Sequence, residues 1–184
     1  VLFAAIDGKN HDGHNYIQRM VMRGVAAFIV ERDVELPAEG RGVVRVASTI
    51  EALQALAAYH RSRFTGRVVA ITGSNGKTIV KEWAARSMPD TVRSFASPKS
   101  YNSQLGVALS LLMLSGEEQV AFIEAGISHP GEMERLESMI KPDTVVFTSI
   151  GDAHSANFLS QEQKIDEKLL LAKDARTIIY SSEY

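Results

Sequence analysis

Apolar positions in this chain fall into short blocks of two kinds, and the two kinds alternate. Runs of three to five residues, rich in β-branched side chains, lie at 2–6, 26–30, 43–46, 68–71, 120–123, 144–148 and 178–180. They are too short for helices and are bounded by turn residues, so they read as strands. A weaker run at 92–95 is a candidate short strand. Elsewhere apolar residues recur at helical spacing. Ile17, Met20, Val21 and Val25 share one face, with Gly24 as a stop, and Leu53, Leu56, Ala57 and His60 share another behind a Ser48 or Thr49 cap. Further helices are expected at 79–85, at 107–114, from the loop at 125–133 to about 139, and from Ser160 to about 175. Alternation of this kind predicts an α/β fold. A small N-terminal α/β domain over 1–66 ends near Gly66, and part of a doubly wound, mostly parallel sheet follows over 67–184.

One stretch carries chemistry of its own. The run Val68-Val69-Ala70-Ile71 leads into Gly73-Ser74-Asn75-Gly76-Lys77-Thr78 and then into an amphipathic segment. Strand, glycine loop, Lys-Thr and helix are the context of a phosphate-binding loop. Glycines let backbone N–H groups approach an anion, and the helix N-terminus adds a favourable dipole. Gly73, Ser74, Asn75, Gly76, Lys77 and Thr78 are therefore the expected nucleotide contacts, with Lys77 on the β/γ-phosphates and the Thr78 hydroxyl on Mg²⁺. The loop is the short G-x-x-G-K-T form, with Ile71 where the commoner pattern has another glycine.

Ligands of open α/β sheets sit at the carboxyl ends of the strands. Glu124 ends the 120–123 run and His154 follows the 144–148 run. Beside a phosphate loop, Glu124 reads as a metal ligand or water holder, and His154 as a companion. The Asp12-Gly13-His14 stretch reads as a turn opening a helix rather than as a metal site. Lys168, between Glu167 and Leu169, reads by pattern alone as one more charge on a solvated helix face.

Composition adds limits. A length of 184 residues suits one or two domains, and a net charge of -2 gives no electrostatic footprint for nucleic acid. With no cysteine there is neither a disulfide framework nor a thiolate metal site. No apolar run approaches the ~18–20 residues that span a bilayer, so a cytoplasmic protein is expected, without membrane insertion. The chain starts directly in one strand-like run and closes on another, which reads as a fragment of a longer protein.

Taken together, several motifs resemble the Mur ligases, the ATP-dependent enzymes that build the peptide of cell-wall precursors. They are Ile71 to Thr78, Tyr101-Asn102-Ser103-Gln104-Leu105-Gly106-Val107, Glu124-Ala125-Gly126, and His154 with Lys168 fourteen residues on. The stretch His129-Pro130-Gly131-Glu132, and Asp7-Gly8 followed by Asp12-Gly13-His14, are similar to the MurF-type branch. That branch joins D-alanyl-D-alanine to UDP-N-acetylmuramoyl-tripeptide. The wording Ser100-Tyr101-Asn102-Ser103-Gln104 and Gly126-Ile127-Ser128 is similar to the variant fused to an alanine racemase.

The resemblance implies that 1–66 binds the UDP-sugar and that 67–184 is the opening part of the ATP-binding domain. It implies Mg²⁺ ligation by Thr78, Glu124 and His154, and catalytic roles for Lys77 and Lys168. Lys168 matches the lysine that is carbamylated and joins the metal site, and Asn102 matches an asparagine near the phosphates. Ser103 and Ala108 stand where relatives often have Asn and Pro. Family members have a third domain that closes over both others, so this chain by itself is expected to have no ligase activity. Two other readings of the residues are a P-loop NTPase that couples hydrolysis to motion or signalling, and a non-catalytic ligase-like module.

Overall fold

The computed structural model describes residues 1–8, 10–36, 40–151 and 157–182. Contacts divide the chain into Val1–Ala55 and Leu56–Tyr184. Each unit holds one sheet whose named strands all pair in parallel. Parallel neighbours need crossovers, which is why strand and helix patterns alternate in the sequence.

In the first unit β1 (Leu2–Ala4), β2 (Ala27–Val30) and β3 (Gly42–Arg45) lie in the order β1-β2-β3, with Phe3 opposite Phe28 and Ile29 opposite Val44. Helix α1 (Ile17–Met22) follows a 3-10 turn at Gly13–Tyr16, and α2 (Thr49–Ser62) begins in this unit. Ala5, Ile17, Val25, Phe28 and Val30 form the core. The Asp12-Gly13-His14 stretch is a turn and helix start, with Asp12 as its cap. Asp12 Oδ1 accepts from the His14 backbone N–H at 2.8 Å and from His14 Nδ1 at 2.7 Å. His14 Nε2 accepts the Glu31 N–H at 3.0 Å, so both ring nitrogens are used inside the unit. The His14 N–H bond, helped by Arg32, holds the Asp12 carboxyl at a pKa of about 2.

The second unit contains β4 (Arg67–Thr72), α3 (Lys77–Arg86), β5 (Ser94–Ala96), α4 (Gln104–Leu112), β6 (Val120–Glu124), α5 (Glu132–Ile140), β7 (Thr144–Phe147), α6 (Gln161–Leu169) and β8 (Thr177–Ile179). The sheet order is β5-β6-β4-β7-β8. Successive crossovers run to one side of β4 and then to the other, so β4 sits at the switch point where such sheets open a crevice. Val68, Ala70, Ala121, Ile123 and Val145 are buried in the sheet, and Leu111, Leu136, Ile140 and Leu171 are buried against it. Each such valine, leucine or isoleucine side chain contributes about 1.5–3 kcal/mol by leaving water. The run expected to be helical to about 175 is shorter. It ends at Leu169 and continues as a 3-10 turn, Leu170–Ala172, that places Leu171 in the core. The chain then turns so that the Arg176 N–H reaches Asp143 O and β8 can pair with β7. Among the described residues no helix is long and apolar enough to cross a membrane.

Candidate active site at the carboxyl end of the central strand

Register decides which groups meet. Ile71 of β4 stands opposite Glu124 of β6, and Thr72 stands opposite Phe147 of β7. The loop after β4 therefore opens between Glu124 on one side and the Thr148–Gly151 segment on the other. Gly73 has φ 144, and a Cβ there would run into Thr148 Oγ1 and lie 3.0 Å from both N and O of Ser149. Only glycine fits that bend. Gly76, with φ 78, starts α3. The loop is tied to the 148–151 segment. Ser74 N–H donates to Ser149 O at 2.8 Å, Ser74 Oγ donates to Gly151 O at 2.8 Å, and Asn75 N–H donates to Ser149 Oγ at 3.0 Å.

Lys77 and Thr78 occupy the first turn of α3, where backbone N–H groups have no helical partner and favour an anion. Lys77 Nζ donates to Gly73 O at 2.9 Å. Burial pushes its pKa down, opposed by Glu124 and aided by Lys164. Thr78 Oγ1 donates to Glu124 Oε2 at 2.8 Å, and Asn102 Nδ2 donates to Glu124 Oε1 at 2.7 Å. Asn102 comes this close because residue 126 is glycine. A Cβ at Gly126 would lie 3.1 Å from Asn102 Cγ. Thr78, Asn102 and Glu124 share one open cleft of about 320 Å³ with the loop from Ser74 to Gly76.

Lys168 is not on a solvated face. It is 3 % exposed, and its Nζ donates to Gly73 O at 3.2 Å. Burial, with Lys77 and Lys164 as like-charged neighbours, lowers its pKa to about 8. The pattern misled because a lone lysine between polar residues carries no sign of what packs over it. His154 lies outside the described residues, so its position relative to Glu124 is not described.

Three features of the site have no counterpart in the sequence reading. Lys81 is completely buried, Lys164 Nζ donates to Gly151 O at 2.6 Å, and Ser97 Oγ accepts the Glu124 N–H at 3.1 Å. The signal for Lys81 was its spacing. It lies four residues after Lys77 and three after Thr78, on the same face of α3.

The sequence profile of the Mur ligase middle domain matches residues 71–181, and that of the Mur ligase family catalytic domain matches residues 1–61. The chain belongs to the Mur ligase family. It is 33% identical over 168 residues to the UDP-N-acetylmuramoyl-tripeptide--D-alanyl-D-alanine ligase of Bacillus subtilis (strain 168), a match covering 91% of this chain and 37% of that protein. Among solved structures, MurF from Acinetobacter baumannii superposes with a TM-score of 0.89 at 30% identity, over 97% of this chain and 40% of that one. MurF ligase from Thermotoga maritima, solved in complex with ADP, does so with a TM-score of 0.85 at 30% identity, over 95% and 40%. This Mur ligase chain thus spans well under half the length of these relatives.

The donor set fits a hard divalent cation. Among the described residues no three His, Asp or Glu side chains converge. A hydroxyl and a carboxylate do converge, at Thr78 and Glu124, and Mg²⁺ is commonly held by one or two carboxylates, phosphate oxygens and water. The Lys168 amine is no ligand as it stands. Carbamylation would give it carboxylate oxygens.

Proposed function

We propose that this chain forms the UDP-sugar-facing and ATP-facing parts of an ATP-dependent amide-bond ligase that adds D-alanyl-D-alanine to UDP-N-acetylmuramoyl-tripeptide in peptidoglycan precursor synthesis. The observation that carries the ATP half is the Thr78–Glu124–Asn102 cluster beside Lys77, at the mouth of a glycine loop. The substrate half rests on the likeness to the Bacillus subtilis ligase across nearly the whole chain. On this reading 1–66 faces the UDP-sugar and 67–184 faces ATP, in the cytoplasm where both substrates are made. Fusion to an alanine racemase belongs to the same reading and is tested by the reading frame that carries this chain.

Two steps follow. An oxygen of the tripeptide carboxylate attacks the γ-phosphorus of ATP, the bond to the bridging oxygen breaks, and ADP leaves behind an acyl phosphate. The amine of D-alanyl-D-alanine then attacks the acyl carbon, inorganic phosphate departs with the C–O electron pair, and the amine loses a proton. Carboxylate and triphosphate repel each other, so the site must supply positive charge between them. The loop N–H groups and the Lys77 ammonium do this, and the loop's ties to Ser149 and Gly151 fix their direction. Mg²⁺ held by Thr78 and Glu124, with His154 and a carbamylated Lys168 as further ligands, would neutralise phosphate charge. Carbamylation consumes the free amine and CO₂ and releases a proton. With a pKa of about 8, roughly a quarter of Lys168 is free amine near pH 7.5, against roughly a thousandth for an ordinary lysine.

ADP binding by calorimetry, with and without Mg²⁺, tests the reading. Mg²⁺ is expected to tighten binding, and Glu124→Gln is expected to weaken the Mg²⁺ response by about 10-fold or more. ADP affinity indifferent to both Mg²⁺ and Glu124 would overturn it. In a turnover assay with ATP, the UDP-linked tripeptide and D-alanyl-D-alanine, the 184-residue chain alone is expected to form no product.

A further inference from the structure

A charge that is fully buried must have a reason, because removing an ammonium from water costs several kcal/mol unless protein groups replace the lost hydration. Lys81 is 0 % exposed in the middle of α3. Its Nζ donates to Ser97 O at 2.5 Å and to Lys99 O, with Glu82 Oε1 at 3.3 Å and Glu124 Oε2 at 3.7 Å. An ammonium has three donors in a compact head. Two of them close on carbonyls of a single loop, and the remaining positive charge lies between two carboxylates, Glu82 at 3.3 Å and, at 3.7 Å, Glu124, which Thr78 and Asn102 also hold.

That loop is the one that serves the site. It runs from β5 to α4 and carries Ser97, whose hydroxyl accepts the Glu124 N–H, and Asn102, whose amide donates to Glu124 Oε1 at 2.7 Å. It also carries Ser100, whose hydroxyl lies 3.4 Å from Thr78 Oγ1. Lys99 has φ 51, a left-handed conformation rare for a side-chain-bearing residue, and it is the carbonyl of this residue that Lys81 holds. Local turn bonds close around it, Tyr101 N–H to Pro98 O at 3.1 Å and Asn102 N–H to Ser100 O at 2.8 Å, but they tie the loop only to itself. The buried lysine gives it an internal anchor.

We infer that Lys81 is a positioning residue of the active site, which anchors the 97–102 loop and through it sets Asn102 and the Glu124 carboxylate for the metal–nucleotide complex. This rests on the function proposed above. Lys81 does not itself reach the cleft. Its effect is on the geometry of the oxygen donors, and it should appear in the metal dependence rather than in nucleotide affinity as such.

The test compares ADP binding by calorimetry across a Mg²⁺ series for the protein and its Lys81→Met variant, with thermal unfolding recorded for both. Lys81→Met keeps the length of the side chain and removes the donors and the charge. The Mg²⁺ midpoint is expected to rise by about 10-fold or more, as for other groups that orient metal ligands, while Mg²⁺-free ADP affinity stays within about 2-fold. In an Asn102→Ala background the same substitution is expected to add less than about 2-fold, because the route through Asn102 is already cut. An unchanged or lower midpoint in folded Lys81→Met overturns the inference, as does an equal loss of Mg²⁺-free affinity. Should Lys81→Met not fold, Lys81→Gln, which keeps an uncharged NH₂ donor group, is read by the same criteria. If the unaltered protein shows no Mg²⁺ response, the proposed function fails first, and the two failures are thereby told apart.

Discussion

Replacing Gly73 by alanine tests the central geometric argument, that the phosphate loop is held open by a bend only glycine can make. At φ 144 an alanine is strained by about 1–3 kcal/mol. Its methyl would also run into Thr148 Oγ1, whose single hydrogen is shared between Asn75 O at 2.5 Å and Thr72 O at 3.2 Å. Moving that hydroxyl aside forfeits its one hydrogen bond, worth about 0.5–1.5 kcal/mol net. The Ser149 backbone, 3.0 Å away through both N and O, leaves the methyl nowhere else to tilt. The expected loss is on the order of 2–4 kcal/mol, a substantial part of the 5–15 kcal/mol that a domain typically has. Gly131→Ala is the control. Gly131 has φ 80 but nothing within 4 Å of the added methyl, so it should cost only ~1–2 kcal/mol. Urea unfolding followed by far-UV circular dichroism and by emission of Trp83, the single tryptophan, which lies in the same unit, gives both numbers. If Gly73→Ala costs no more than Gly131→Ala, the Thr148–Ser149 wall does not constrain the loop and the reasoning fails.

Two further outcomes are expected. Lys168 titrates near 8 in the folded chain against 10.5 for an ordinary lysine, so between those values the unfolded chain binds more protons and stability should rise with pH. Lys168→Met, which leaves Gly73 O to Lys77, should reduce that slope, with the buried Lys77 supplying what remains, and be more stable at neutral pH by roughly 1–3 kcal/mol; an undiminished slope in pH-dependent urea unfolding would refute the assignment. Thr72 Oγ1, at the root of the phosphate loop, is buried and has no hydrogen-bond partner among the described residues. Thr72→Val should therefore be neutral or stabilising by about 1 kcal/mol, and a loss of more than ~1 kcal/mol in the same unfolding assay would mean that the hydroxyl is bonded.

Much of this was legible along the chain. Short β-branched runs and 3.6-residue periodicity report local burial, and turn residues report where the backbone reverses, so the strands, the glycine loop and the order of elements could be read directly. Lys77 and Thr78 stood out as candidates because glycine, lysine and threonine occupy neighbouring positions between a strand and a helix. Boundaries were less so. Helix α6 ends at Leu169, because burial of Leu171 requires a tighter turn that helical spacing does not reveal.

Only the tertiary structure decided the environment of the lysines. Lys81, Lys164 and Lys168 look in sequence like solvated charges, and each is buried. Lys168 meets Gly73 across 95 residues of chain, and Glu124 meets Thr78 across 46 and Asn102 across 22. No local rule covers such distances. Sequence by itself determined which strand carries the phosphate loop and which residue types could serve it. Which of them meet was set by the crossovers and the strand register. A slip of one residue would turn every side chain of β6 to the opposite face and take Glu124 away from Thr78.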